Sequence, residues 1–187
     1  MTRSLALFLA LGALVSASPV RSTEWTVDPA KSWLGFRGTM AQAHFDGRFL
    51  RWHAAISFDP SHPESGHARV TVDMASAVTG DKQKDAALPQ SDWFDAKNFP
   101  EAIFEVRSFR AKGASSYDAM ATLTMRGIKK DLITPLSIEV SEDTLHAKGG
   151  VKLLRSDFSV GQGQWTSAQW VAFEVATAFD VTATRKP

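Results

Sequence analysis

The sequence predicts an all-β domain, a sandwich or a barrel, and three observations predict it. Apolar and polar residues alternate with a period of two over most of the chain. Turn-forming pairs punctuate that alternation at short intervals. Helical periodicity is nearly absent beyond the first residues.

The alternation places each strand in turn. Trp52, Ala54, Ile56 and Phe58 share a face against His53, Ala55 and Ser57; Val70, Val72 and Met74 do so against Arg69, Thr71 and Asp73. Tyr117, Ala119, Ala121, Leu123 and Met125 form a third apolar face, and Leu132, Leu136, Ile138 and Val140 a fourth. Leu145, Ala147, Val151 and Leu153 make a fifth, and Val171, Phe173, Val175, Phe179 and Val181 the last. Each reads as a strand with one buried side. Asp28-Pro29, Asp46-Gly47, Asp59-Pro60, Lys112-Gly113, Arg126-Gly127 and Gly161-Gln162-Gly163 read as turns or loops. Asp81 is placed to cap one short helix over Lys82 to Leu88, ended by Pro89. Pro135, inside a strand pattern, calls for a bulge or an unpaired edge, because it has no N–H to donate.

Composition narrows the function. Of 187 residues, 44% are hydrophobic and 22% charged, the values of a globular chain long enough for one domain. Twenty-one basic residues face 20 acidic ones, which leaves no electrostatic footprint for nucleic acid. There is no cysteine, hence no disulfide and no thiol nucleophile. Arg3, the apolar run Leu5 to Val15 and the small residues Val15-Ser16-Ala17 make residues 1–17 a secretory signal peptide. The folded domain is then expected over 23–187, in the periplasm.

No catalytic constellation stands out. His62 and His67 flank Glu64 in a loop, which reads as a solvated surface before it reads as a metal clip. His44, His53 and His146 lie apart from them. Asp81, Asp85, Asp92 and Asp95 cluster, but capping and turn roles account for Asp81 and Asp95. Gly161 and Gly163 lack the strand-to-helix frame of a phosphate loop. The expectation is therefore a protein that is not an enzyme and holds no metal or cofactor.

Several stretches, in order, resemble the YceI family of periplasmic lipid-binding proteins. They are Trp25-Thr26-Val27-Asp28-Pro29-Ala30-Lys31-Ser32 with Phe36, Phe45-Asp46-Gly47-Arg48-Phe49, Ile56-Ser57-Phe58-Asp59-Pro60 and Val70 to Ser76. Lys84-Asp85, Trp93-Phe94-Asp95, Phe99 to Phe104 and Leu123-Thr124-Met125-Arg126-Gly127 continue the match. Arg155 to Trp165 resembles the late loop of a branch associated with cytochrome b561-type membrane proteins. The resemblance implies a lipocalin-like eight-stranded antiparallel barrel with one or two short helices. It also implies a long apolar tunnel and a polyisoprenoid, isoprenoid quinone or fatty amide as ligand.

Aromatic content leaves the interior open: 12 Phe and 6 Trp can line a slot or plug it. The resemblance favours a slot. Its expected ligand-binding residues are Phe36, Phe49, Ile56, Val72, Phe104, Leu123, Leu136, Phe158, Phe173 and Val175, with Trp165 as a flap on a gating loop from Gly161 to Gln169. The alternative is a solid barrel that docks to a cytochrome b561-type or other envelope protein. A homodimer is compatible with either.

Overall fold

Twelve β segments form one closed wall in the structure, a computed structural model that describes residues 23–187. The signal-peptide reading falls outside the described residues. Eight of the segments are halves of four bent strands. β1 (Glu24–Val27) leads into β2 (Trp33–Met40), and β3 (Ala43–Phe49) into β4 (Trp52–Ser57). β5 (His67–Asp73) leads into β6 (Ala77–Val78), and β10 (Thr144–Gly149) into β11 (Lys152–Leu154). β7 (Glu101–Ala111), β8 (Ser116–Met125), β9 (Ile128–Ser141) and β12 (Glu174–Arg185) are unbroken.

Pairing shows that the halves belong together. β3 pairs with β2 while β4 pairs with β1, and β3 and β4 pair in turn with β6 and β5. β10 and β11 lie against β12 in one continuous register, Gly149 opposite Phe179 and Lys152 opposite Ala176. Joining four pairs reduces twelve segments to eight strands, each antiparallel to its neighbours in the chain. β12 closes the ring by pairing with β1 and β2, Trp25 opposite Arg185 and Phe36 opposite Thr177. This is an up-and-down eight-stranded barrel, as the resemblance implied.

The bends have local causes. Pro29 cannot donate, and Asp28 takes the Ala30 N–H at 3.0 Å, so the first strand breaks into a short 3-10 turn. The bends at 50–51 and 74–76 are stapled together by Ser76. Its Oγ accepts the Arg51 N–H at 3.1 Å and donates to the Asp73 carbonyl at 2.6 Å.

Two hairpins turn through paired residues of positive φ: Ala41-Gln42 (49° and 66°) and Arg126-Gly127 (50° and 73°). The second was expected from sequence. Asp46-Gly47 is not a turn but the middle of β3, opposite Arg37 and Phe36. Gly47 is required there because the Phe36 ring lies across it. A Cβ on Gly47 would sit 2.3 Å from Phe36 Cζ.

The expected helix forms. α1 spans Lys82–Ala87, and Asp81 accepts the N–H groups of Gln83 and Lys84 at 2.9 and 3.1 Å. Pro135 produces no bulge against β8, whose register with β9 is unbroken. It does produce an edge. The Ile138 N–H donates to Ser115, so odd-numbered residues of β9 aim their backbone groups at β10. The β9–β10 ladder stops at Leu136 opposite Gly149, one residue short of Pro135. From there to Ile128, β9 pairs with β8 alone.

The loops sort to two ends. One end carries the segments 58–66, 112–115 and 142–143, and closes over Trp25, Phe58, Phe109, Tyr117 and Leu145, all buried. The other carries the Ala41-Gln42 and Arg126-Gly127 turns, the segment 79–100 with α1, and the segment 155–173. Its buried residues include Met74, Leu88, Phe94, Phe158 and Val160.

Candidate ligand-binding site

The inner faces of the eight strands enclose a cavity of about 260 Å³. That lies just under the usual range of about 300–1,000 Å³ for small-molecule sites. Inward-facing side chains such as Phe36, Ile56, Phe104, Leu123 and Leu136 are only partly buried, which a solidly packed barrel would not allow. The Phe36 ring sits 5.4 Å from Phe49, and Phe49 sits 6.0 Å from Phe94, so an aromatic wall runs from mid-barrel to the loop-covered end.

Nine of the residues expected to bind ligand line this cavity: Phe36, Phe49, Ile56, Val72, Phe104, Leu123, Leu136, Phe158 and Val175. Two do not. Phe173 was placed by extending the β12 alternation backward, but β12 starts at Glu174 and the backbone bends at Phe173. Its ring instead lies under the Arg155 guanidinium, 5.1 Å away. Trp165, half-buried, packs on Trp93 at 5.5 Å, and it is Trp93 that faces the cavity. Alternation alone could have added Trp52, Ala54, Val70 and Phe179, which share inner faces with the residues named. Phe45 carried a subtler signal: opposite Gly38, its ring covers a strand glycine as Phe36 covers Gly47.

Apart from the tryptophans Trp52 and Trp93, the polar side chains in the wall are Thr134, Thr177 and Arg155. Arg155 is the centre of the closing loops, a role the sequence did not disclose. It is 4% exposed, and its guanidinium donates to five carbonyls, those of Val160, Trp165, Ser167, Val171 and Ala172, at 2.8–3.1 Å. Burial pushes its pKa below the ordinary arginine value. Backbone dipoles, not a carboxylate, balance the charge. Gly161 is obligatory here, with φ of 87° and an added Cβ 1.9 Å from Arg155 Nη1.

The two closing segments are tied to each other. The N–H groups of Gly161 and Gln162 both donate to the Asp92 carbonyl, at 2.8 and 2.7 Å. Arg126 reaches from the β8–β9 turn to the carbonyls of Ser91, at 2.8 Å, and Trp93. Asp85 on α1 accepts the N–H and the hydroxyl of Thr79 at 2.6 and 2.7 Å. The segment expected to be a gate, Gly161 to Gln169, is therefore latched by Arg155 and by the loop that carries Asp92.

The remaining candidates for chemistry stay apart from the cavity. His146 Nε2 lies 2.6 Å from Asp180 on the outer face of β10 and β12. His62 lies 3.7 Å from Glu64 in an exposed loop. Asp81 caps α1, and Asp95, at φ 49°, holds the Asn98 amide in a turn. Among the described residues, no three His, Asp or Glu side chains converge as a metal site would need.

Comparison with known proteins agrees with this architecture. Residues 25–183 match the model of the YceI-like domain. A UPF0312 protein of Photorhabdus laumondii is 28% identical over 137 residues, 71% of each chain. One from Pseudomonas putida is 30% identical over 126 residues, 65% of this chain and 66% of its own. Among solved structures, Burkholderia cenocepacia BcnA superposes with a TM-score of 0.82 at 32% identity, over 84% of this chain and 99% of its own. A polyisoprenoid binding domain from Saccharophagus degradans shares the fold, with a TM-score of 0.70 at 16% identity, over 88% of this chain and 99% of its own. A barrel closed in this order, hollow and apolar inside, and matched over nearly all its described length by one family model, places the chain in the YceI-like domain family.

Proposed function

We propose that the protein binds and carries a single apolar molecule of the polyisoprenoid, isoprenoid quinone or fatty amide class, and performs no chemistry on it. One observation carries this: the inner wall is accessible and almost wholly apolar, and its single charged group spends its donors on backbone carbonyls. Such a lumen offers no charge to a substrate. It offers burial, at about 0.8 kcal/mol per CH₂ removed from water. The Saccharophagus neighbour, described as a polyisoprenoid binding domain, supports the ligand class. At about 260 Å³ the cavity takes a short chain or the end of a long one, and a longer cargo requires the latched loops to yield.

The docking-module alternative calls for a filled interior, and the accessible wall counts against it. The signal-like N-terminal residues support a periplasmic site of action, where an apolar molecule must cross water between two membranes. Native mass spectrometry of protein purified from its own host tests the proposal. A co-purifying neutral lipid of defined mass is expected. That lipid should be lost in Ala54→Phe, which fills the mid-barrel from β4. A ligand-free spectrum from the natural host, with no binding of added prenols or quinones, would sink the proposal.

A further inference from the structure

Thr134 is the one wall residue whose chemistry does not fit a purely hydrocarbon cargo. It is 2% exposed, it lines the cavity, and its Oγ1 has no hydrogen-bond partner among the described residues. The other hydroxyl and the one charged group of the wall are spent. Thr177 Oγ1 donates to the Val151 carbonyl at 2.9 Å, and Arg155 is occupied by its five carbonyls. Buried hydroxyls are nearly always paired, because an unpaired one forfeits its hydration with nothing in return. Valine has the same shape and would carry no such penalty in an all-apolar wall.

The position is built to receive something. Ala119, opposite Thr134 on β8, places only a methyl group beside it, and the hydroxyl itself is fully buried, so a cargo group that reaches it must press into the wall. Thr134 lies six residues along β9 from Ile128 at the loop-covered end, or about 20 Å at strand rise. A polar group bonded there is held at mid-barrel, not at the mouth.

Resting on the carrier reading above, we infer that Thr134 Oγ1 is the anchor for one neutral hydrogen-bonding group of the cargo, a hydroxyl, carbonyl or amide, held deep in the barrel. A hydroxyl both donates and accepts, so each of these groups suits it. An ionised head does not, since no free counter-charge lines the wall and burying the charge would cost more than one hydrogen bond returns.

Two probes of matched carbon skeleton separate the possibilities: farnesol, which carries a hydroxyl, and the hydrocarbon farnesene. Each is titrated into the wild type, Thr134→Val and Thr134→Ser, with melting temperatures as the folding control. Thr134→Val is expected to melt at or above the wild type. It should weaken farnesol by about three- to tenfold, the worth of one hydrogen bond, and leave farnesene unchanged or tighter. Thr134→Ser should keep the wild-type preference. Equal farnesol affinity for wild type and Thr134→Val would overturn the anchor while leaving the carrier reading intact. Failure of both probes to bind the wild type would overturn the carrier reading and the anchor with it.

Discussion

The two ends of the barrel are closed by different physics. At one end, residues on the strands and Phe58, just beyond the end of β4, meet edge-to-face: Phe58 lies 5.1 Å from Phe109 and 5.4 Å from Tyr117, and Trp25 donates its indole N–H to the Phe58 carbonyl at 2.9 Å. At the other, two long segments lie over the lumen and are fastened by polar latches, Arg155 above all. Opening the first end would disturb the sheet itself, because Trp25, Phe109 and Tyr117 sit on strands and Phe58 follows β4 directly, its N–H donating to the Thr23 carbonyl at 2.9 Å. Opening of the second would exchange loop hydrogen bonds, including the bridge between Val171 and Met40, for water and would leave the ladders between the twelve segments paired. The proposed carrier role would use both, a floor that sets stability and a cover that sets exchange.

That contrast can be broken outright at the floor. Phe58→Ala is expected to destabilise the whole molecule by about 3–5 kcal/mol, seen as a lower denaturant midpoint shared by all probes. Loss confined to ligand affinity, with the midpoint unmoved, would mean that this end is not the structural plug.

At the cover, Arg155→Leu removes the donor to five carbonyls at once. It should cost about 2–4 kcal/mol locally. Hydrogen exchange should accelerate over 155–173 while the strands keep their protection, and bound lipid should leave faster. Arg155→Lys should rescue little of this, since an ammonium cannot reproduce the planar fork. A smaller effect of the same kind is expected for Asp85→Ala, which frees Thr79 ahead of α1. About 1–2 kcal/mol of local stability should be lost, with faster exchange around 79–88.

The smallest expected effect is acid sensitivity. His146 donates a hydrogen bond to Asp180 and, with Lys148, holds its carboxyl below the ordinary value of 3.8. A carboxylate with a lowered native pKa stabilises the fold above its unfolded value and loses that contribution as pH falls through the native one. Asp180→Asn should therefore melt slightly below wild type at neutral pH, and the two should converge in strong acid. The cover has no such dependence at Arg155, whose partners are carbonyls, so acid should not by itself release the latch.

How much of this was readable in the chain depends on whether a feature is local. Alternation at Trp52 to Phe58 and Tyr117 to Met125 marked both the strands and their inner faces, because side-chain direction follows from position within a strand. The same rule failed at Phe173, where the strand had not yet begun. Asp46-Gly47 looked like a turn because glycine serves two ends, left-handed backbone and close approach. Only the ring of Phe36 across the strand shows which applies.

Composition and alternation by themselves determined that this is an all-β chain with one apolar side to each strand, a short capped helix and no evident catalytic set. They did so because those properties are local and periodic. Tertiary structure alone decided that the ring closes around a void, that Arg155 is a latch and not a surface charge, and that Thr134 is a buried hydroxyl without a partner among the described residues. Each of these depends on what residues distant in the chain fail or manage to place beside it, and no pattern along a single strand encodes that.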